Sequence, residues 1–451
     1  MAERDPALTP AIPQTGGISR ARMALLFLVM LTTAAGNTAM QSVMPSIGTK
    51  MGVADVWISL AYTWSALLWV ICAPMWARRS DQRGRKAMMA LGMIGFSASF
   101  GLCGLVMMAG LEELMSAGLT LALFAAARSL YGGFGSAAPP AVQAYVASRT
   151  PRAERTKAMA LIASSFGLGT VIGPAIAPLL VFPGPGLSGP FFIFAAFGIL
   201  VLIALRLRLP NDDPTFAARG QITAAPFSAS ASNSAGPSDE GTEALEGTIP
   251  DLSWRDPRLR PWLIAGLVGG HAQAALLGLA GFFVLDRLGL RSDPMAGAGP
   301  VGTVLMAGAG ATLLAQWGLI PNLKMGPRTS LLWGMVLALI GTAFIALSWD
   351  LHSIALGFAI TSLGFGLYRP GFTAGASLAV SRAEQGQVGG IVASLNGAAY
   401  IFAPALGVWI YNHEEWLAFS LIGGLCALVL GWGWRALEAD SVLEARRDTA
   451  D

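Results

Sequence analysis

Twelve apolar stretches, most about twenty residues long, leave this chain few ways to fold. They run over 23–44, 56–76, 87–109, 118–146, 157–182 and 190–207, then over 261–284, 297–319, 330–348, 353–380, 388–411 and 416–435. An α-helix rises about 1.5 Å per residue, so roughly 20 residues cross the ~30 Å hydrocarbon core of a bilayer. Lipid offers the backbone no hydrogen bonds, and a helix satisfies its own N–H and C=O groups. The expectation is an all-α membrane protein of twelve transmembrane helices, with the lipid bilayer as its solvent. Composition agrees: 12% of the residues are charged, where a soluble protein carries roughly a quarter. The first run is longer than the roughly 7–15-residue core of a cleaved signal peptide, so it is read as the first span. Cys72, Cys103 and Cys426 all lie in apolar runs, at spacings that match no metal or redox pattern. The net charge is only +3; no nucleic-acid partner and no cofactor are expected.

One long polar stretch divides the series. Residues 208–259 contain SASASNSAGPSDEGTEALEG, poor in aromatics and rich in Ser, Gly and acid, the composition of a flexible linker. The chain therefore reads as a tail (1–22), a six-helix bundle (23–207), the linker (208–259), a second six-helix bundle (260–435) and a second tail (436–451). Basic residues set the orientation. With the N-terminus in the cytoplasm, 24 of the 29 Lys and Arg fall inside, and only Lys50, Arg287 and Arg291 fall outside. Arg128 and Arg369 lie within spans. Both termini and the linker are expected in the cytoplasm.

The two halves echo each other at an offset of 230 residues: Ala153-Glu154-Arg155 with Ala383-Glu384-Gln385, Pro140 with Pro370, and Pro174 with Pro404. Lys50-Met-Gly-Val is similarly echoed by Arg287-Leu-Gly-Leu. Matches in the same order along both halves suit a duplicated unit with a central site between the repeats.

Between the second and third runs stands Ala77-Arg-Arg-Ser-Asp81-Gln-Arg-Gly84-Arg85-Lys86. Gly84 suits a tight turn that needs positive φ. Asp81 is placed to cap a helix end or to pair with a cation such as Arg155 in the next inner loop. The fourth run carries Arg128-Ser-Leu-Tyr131-Gly132, and the fifth carries Gly169-Thr-Val-Ile-Gly173-Pro174. Glycines four apart give a flat face for close helix contact, and Pro174 removes a backbone donor. The first of these segments resembles the loop signature of the major facilitator superfamily, with Ala77, Arg79 and Gln82 departing from it. The second resembles the Arg-x-x-Gln-Gly motif of its proton-coupled members, with Tyr131 in place of the Gln. The third resembles the signature of its drug/metabolite:proton antiporter branch, which includes multidrug, tetracycline and siderophore exporters. The resemblance implies two pseudo-symmetric six-helix bundles and a cavity lined by helices one, four, seven and ten. It also implies a charge latch at Asp81, Gly84, Arg85, Lys86 and Arg155, and close packing at Gly169, Gly173 and Pro174.

Polar residues at membrane depth are the cavity candidates: Asn37 and Gln41, on one stripe with Thr33; Arg128; His271 and Gln273; Arg369; and Asn396 and Tyr400. An Arg in a span costs at least about 2.5–3.5 kcal/mol on insertion scales, so each should face water or a partner. Two such arginines without a nearby acid favour anionic or zwitterionic cargo. Asp55, Glu112, Glu113, Asp286, Asp350, Glu414 and Glu415 all sit in or beside outer loops, and no carboxylate falls mid-span. The proton, as coupling ion, therefore has two candidate carriers: His271, histidine being the residue type suited to proton exchange at physiological pH, or Asp55. The chain lacks a P-loop, HExxH and paired intramembrane aspartates, which argues against an ATP-driven pump or an intramembrane enzyme. The expected function is alternating-access export of a small organic molecule. An uptake carrier or facilitator is the alternative, because the loop signature serves both directions.

Overall fold

Ser19 opens the first helix by accepting a hydrogen bond from the Arg22 N–H, the usual role of an N-cap hydroxyl. From there a computed structural model describes residues 18–150, 152–210, 252–380 and 385–443. The first bundle comprises α1 (Arg20–Lys50), α2 (Asp55–Arg83), α3 (Arg85–Leu111), α4, α5 and α6 (Gly189–Arg208). Here α4 is two helical pieces, Ala117–Gly133 and Ala138–Arg149, joined through the 3-10 turn Gly135–Ala137. α5 is Arg152–Ile176, tightening into the 3-10 turn Ala177–Leu180. The second bundle comprises α7 (Arg260–Arg287), α8 (Pro294–Asn322), α9 (Pro327–Ala346), α10 (Leu351–Leu378), α11 (Gln385–His413) and α12 (Glu415–Ala436). α8 contains a π-helical stretch at Leu314–Leu319.

Nine helices among the described residues are long and apolar enough to cross a membrane. The fourth span misses that length only because it is broken near Phe134. Large apolar side chains on the outside, such as Leu102, Leu105, Leu200 and Phe402, are what a lipid-facing surface requires. Exposed tryptophans gather towards the two ends: Trp57, Trp349, Trp409 and Trp416 at one, Trp254, Trp432 and Trp434 at the other. That distribution fits the aromatic belts of membrane interfaces. The end that carries α1's first residue is called here the terminal face, and the opposite end the distal face.

Packing shows the duplication more plainly than the sequence does. α1 packs on α5 as α7 packs on α11; α3 on α4 as α9 on α10; α2 on α4 as α8 on α10; and α3 on α6 as α9 on α12. The bundles meet along α2 with α11 and α5 with α8, again a related pair. Within lipid the apolar effect does not hold helices together, so small residues that let backbones approach do much of it. On α9, Gly334 faces the carbonyl of Gly364 on α10, and a Cβ built at Gly334 would lie 2.6 Å from that oxygen.

One segment differs from the hydropathy reading. The charged stretch expected as a loop is mostly helix: α2 runs on to Arg83, so Asp81 lies in its last turn, and only Gly84 separates α2 from α3. Hydropathy cannot register a helix that continues past the apolar core on Ala, Arg and Gln. Gly84 has φ of +87°, the conformation for which glycine was singled out.

In the second half the equivalent loop, around Gly326 and Arg328, carries no acid of its own. The acid comes from beyond α12. Asp440 accepts hydrogen bonds from the backbone N–H groups of Arg328 and Thr329, at 2.7 and 3.1 Å, and from the Thr329 hydroxyl at 2.6 Å. A carboxylate there satisfies orphan donors at the start of α9 and suits the positive end of its dipole. Leu437 and Leu443 are buried alongside.

Candidate functional site

Two adjoining cavities lie between the bundles. One is lined by Gln41, Ser59 and Tyr62 from the first bundle and by Gly278, Phe282 and Tyr400 from the second. The other is lined by Thr38, Thr170 and Pro174 against Gln273, Thr312 and Ser362. Gln41, Leu277 and Leu305 border both, so the two form lobes of one space. The walls are apolar with neutral hydrogen-bonding groups, and no acidic side chain is among the residues that line either lobe.

Arg369, also expected in the cavity, is buried and lines neither lobe itself, but it reaches residues that do. Its Nη1 donates towards the Gln273 Oε1 at 3.5 Å and the Tyr400 hydroxyl at 3.4 Å, and Gln273 and Tyr400 each line one lobe. Both contacts are at the long limit for hydrogen bonds, and no carboxylate pairs with Arg369 among the described residues. A buried guanidinium held only by weak neutral contacts has its charge-assisted capacity unspent.

Arg128 is placed differently. It is fully buried inside the first bundle, where its Nη2 donates to the Asn37 Oδ1 at 2.9 Å. Tyr131 and Phe100 close over it, with ring centroids 4.5 and 6.0 Å from Cζ. Its Nε and Nη1 are buried without a hydrogen-bond partner among the described residues. Arg128 and Asn37, expected in the cavity, line neither lobe: the pair turns inward, and Gln41 is the member of that helical stripe that reaches the space. His271 and Asn396 are half-buried and line neither lobe. The His271 Nδ1 lies 2.7 Å from the Leu267 carbonyl of its own helix.

The helix-five glycines do as their spacing implied. A Cβ at Gly169 would lie 2.6 Å from the Leu31 carbonyl oxygen, and one at Gly173 would overlap the Ala35 carbonyl and the Thr38 hydroxyl, both on α1. One residue on, the Pro174 carbonyl meets α8, where a Cβ at Gly302 would be 2.7 Å from it. The same short segment thus fixes α1 on one side and touches the other bundle on the other. The side chains of Asp81 and Arg155 lie outside the described residues. Of their neighbours, Arg85 is buried and Lys86 half-buried.

Sequence reasoning missed how the distal face is closed. Arg291, in the turn between α7 and α8, forks onto Asp55 at the start of α2, with Nη1 and Nη2 each 2.8 Å from a carboxylate oxygen. Its other edge binds Asp286 at the end of α7, at 2.7 Å from Nε and 2.9 Å from Nη2. Nη1 also donates to Thr49 at 3.2 Å, and the Tyr411 hydroxyl donates to Asp286 at 2.7 Å. Burial works to lower the Arg291 pKa, but hydrogen bonds and charge from both carboxylates outweigh it and hold it above its ordinary value. Arg287 pairs with Glu415 nearby. A signal was available: few basic residues stand on this face, and those retained there needed a reason.

A model of the Major Facilitator Superfamily matches residues 26–323 and 316–448. Multidrug resistance protein 1 of Bacillus subtilis is 23% identical over 86% of this chain and 90% of that protein. The class B tetracycline resistance protein of Escherichia coli is 25% identical over 81% of this chain and 82% of its own. A match at 31% identity to the probable actinorhodin transporter of Streptomyces coelicolor spans 39% of this chain and only 28% of that protein. Among solved structures, the human organic anion transporter MFSD10 superposes with a TM-score of 0.60 at 19% identity, covering 94% of this chain and all of the other. A bacterial homologue of the lysosomal transporter Spinster gives a TM-score of 0.64 at 14% identity, covering 96% of this chain and 97% of the other. The helical architecture, the paired bundles and these matches agree: the chain is a multi-pass membrane protein that belongs to the Major Facilitator Superfamily of transporters.

Proposed function

We propose that the protein is a secondary active exporter of small organic anions, working by alternating access in the inner membrane with the proton as coupling ion. The observation that carries this reading is the space lined from both bundles, with Arg369 beside it holding only weak neutral contacts among the described residues. An anion placed there would gain the pairing that Gln273 and Tyr400 do not give. The resistance proteins among its relatives support the outward direction. The distribution of Lys and Arg supports cytoplasmic termini and linker, which makes the distal face the outer one. Asp81 and Arg155 are proposed as the cytoplasmic latch, and His271 as the proton carrier.

Everted membrane vesicles with an imposed inside-acid pH gradient test the proposal. Aromatic carboxylates should accumulate inside wild-type vesicles above vector controls, and collapsing the gradient should stop them. His271→Gln should remove the gradient dependence and keep substrate-for-substrate exchange. Accumulation of lipophilic cations alone would overturn the substrate class, and downhill movement indifferent to the gradient would overturn antiport.

A further inference from the structure

The distal charge cluster uses its donors unusually fully. Arg291 has five N–H groups, and all five meet acceptors: two carboxylates, each held bidentately, and the Thr49 hydroxyl. These partners divide between the bundles. Asp286 and Tyr411 belong to the second bundle, as does Arg291 itself, while Asp55 and Thr49 end helices of the first. Asp55 is buried, its side chain only 7% exposed, whereas Asp286 is 37% exposed. Beneath the cluster lies an apolar layer. A Cβ at Gly281 would be 2.5 Å from Pro45 and 3.4 Å from Val301, and Phe282 is 1% exposed, 5.6 Å from the Arg291 Cζ.

We propose that Asp55 and Arg291 form the separable half of a two-part ionic latch that holds the distal face shut, and that Asp286 and Tyr411 are positioning residues that keep Arg291 aimed at Asp55. The inference rests on the alternating-access reading. When the distal face opens, the first bundle carries Asp55 and Thr49 away, and Asp55 is taken up by water. Arg291 keeps Asp286 and so never becomes a lone buried cation. That asymmetry makes opening affordable: only one carboxylate exchanges its partner, while the other remains the hinge of the latch. Charged hydrogen bonds of this bidentate kind are directional as well as strong, so the latch also sets the register in which the bundles close again.

The test needs no substrate. Trp57 on α2 and Met295 on α8 are exposed near the distal ends of helices that belong to different bundles. With both changed to cysteine in a background free of Cys72, Cys103 and Cys426, spin labels report the separation of the bundles in nanodiscs. In the otherwise native protein the shorter separation should dominate. Asp55→Asn and Arg291→Gln should each raise the population of the longer one by about tenfold, the scale on which loss of a charged contact moves a two-state equilibrium. The Asp55→Asn/Arg291→Gln double variant should add little to either single change, because both remove the same contact. Asp286→Asn should shift the population less, and Tyr411→Phe less again, since they act through Arg291. Arg291→Lys, which keeps the charge and loses the fork, should fall between Arg291 and Gln. Unchanged separations in both Asp55→Asn and Arg291→Gln would overturn the latch while leaving alternating access intact. A single separation in every variant, with or without organic anions, would overturn the latch and the reading beneath it.

Discussion

Gly173→Ala is expected to abolish transport and lower the melting temperature in detergent sharply, and Gly173→Leu to leave no folded protein. The added methyl has nowhere to go: it would overlap a backbone carbonyl, that of Ala35, and the Thr38 hydroxyl. Neither can swing aside, because Ala35 is fixed in α1 and Thr38 already bonds the carbonyls of Ala34 and Ala35. Overpacking typically costs about 1–3 kcal/mol when side chains can adjust, and more when backbones must part. Here α1 and α5 would have to separate, and α5 would shift against α8 through Pro174, so both the bundle and its contact with the partner bundle are hit. Gly310→Ala is the control, because a Cβ there meets nothing within 4 Å and should be neutral or stabilising by up to about 1 kcal/mol through helix propensity. Fluorescence-detected size exclusion and thermal melts of the two variants make the comparison. Equal melting curves for Gly173→Ala and Gly310→Ala would reject the close contact of α1 with α5.

Arg128→Met is expected to do the opposite to stability and still destroy function. A buried guanidinium with one neutral hydrogen-bond partner and two unsatisfied nitrogens among the described residues is a costly group in this conformation. An unbranched apolar side chain of similar length fills the space between Tyr131 and Phe100 without that cost, so the melting temperature should rise by a few degrees. Paired with Asn37→Leu, which removes the carbonyl left behind, the gain should grow. Transport should fall at least tenfold in Arg128→Met, because a charge poorly satisfied in one state is worth keeping only if another state satisfies it better. Arg128→Lys should also fail, since a point charge cannot repeat the geometry of the fork. A stabilised Arg128→Met with wild-type transport rates would make Arg128 an accident of packing.

The fold was legible because lipid removes most alternatives. Twelve apolar runs and Gly84 before the third helix were readable from residue types, and the close approach at Gly169 and Gly173 from spacing alone; the linker expected over 208–259 lies largely outside the described residues. What could not be read were contacts between residues far apart in the chain. Arg128 and Arg369 carry the same signal in the sequence, a cation at membrane depth. One is sealed by Tyr131 and Phe100 and the other stands beside Gln273 and Tyr400; side-chain direction around a helix decides that, and hydropathy is blind to it. Asp440 serves a loop more than a hundred residues earlier. Arg291 reads in the sequence as one of few outer-loop cations and Asp55 as an alternative proton carrier; only the folded chain joins them across 236 positions.

Purified protein in proteoliposomes with an imposed pH gradient gives the most direct test that a central cavity carries an organic anion against Arg369. Initial rates should be measured for matched pairs of substrates, one an aromatic carboxylate and the other its neutral amide. The account predicts that wild-type protein moves the carboxylate and discriminates against the amide. It also predicts that Arg369→Ala, folded and inserted normally, raises the apparent KM for the carboxylate by about tenfold or more, the loss expected for one charge-assisted contact, and leaves the amide unaffected. An unchanged KM for the carboxylate in Arg369→Ala, or equal transport of acid and amide by the wild type, would contradict it.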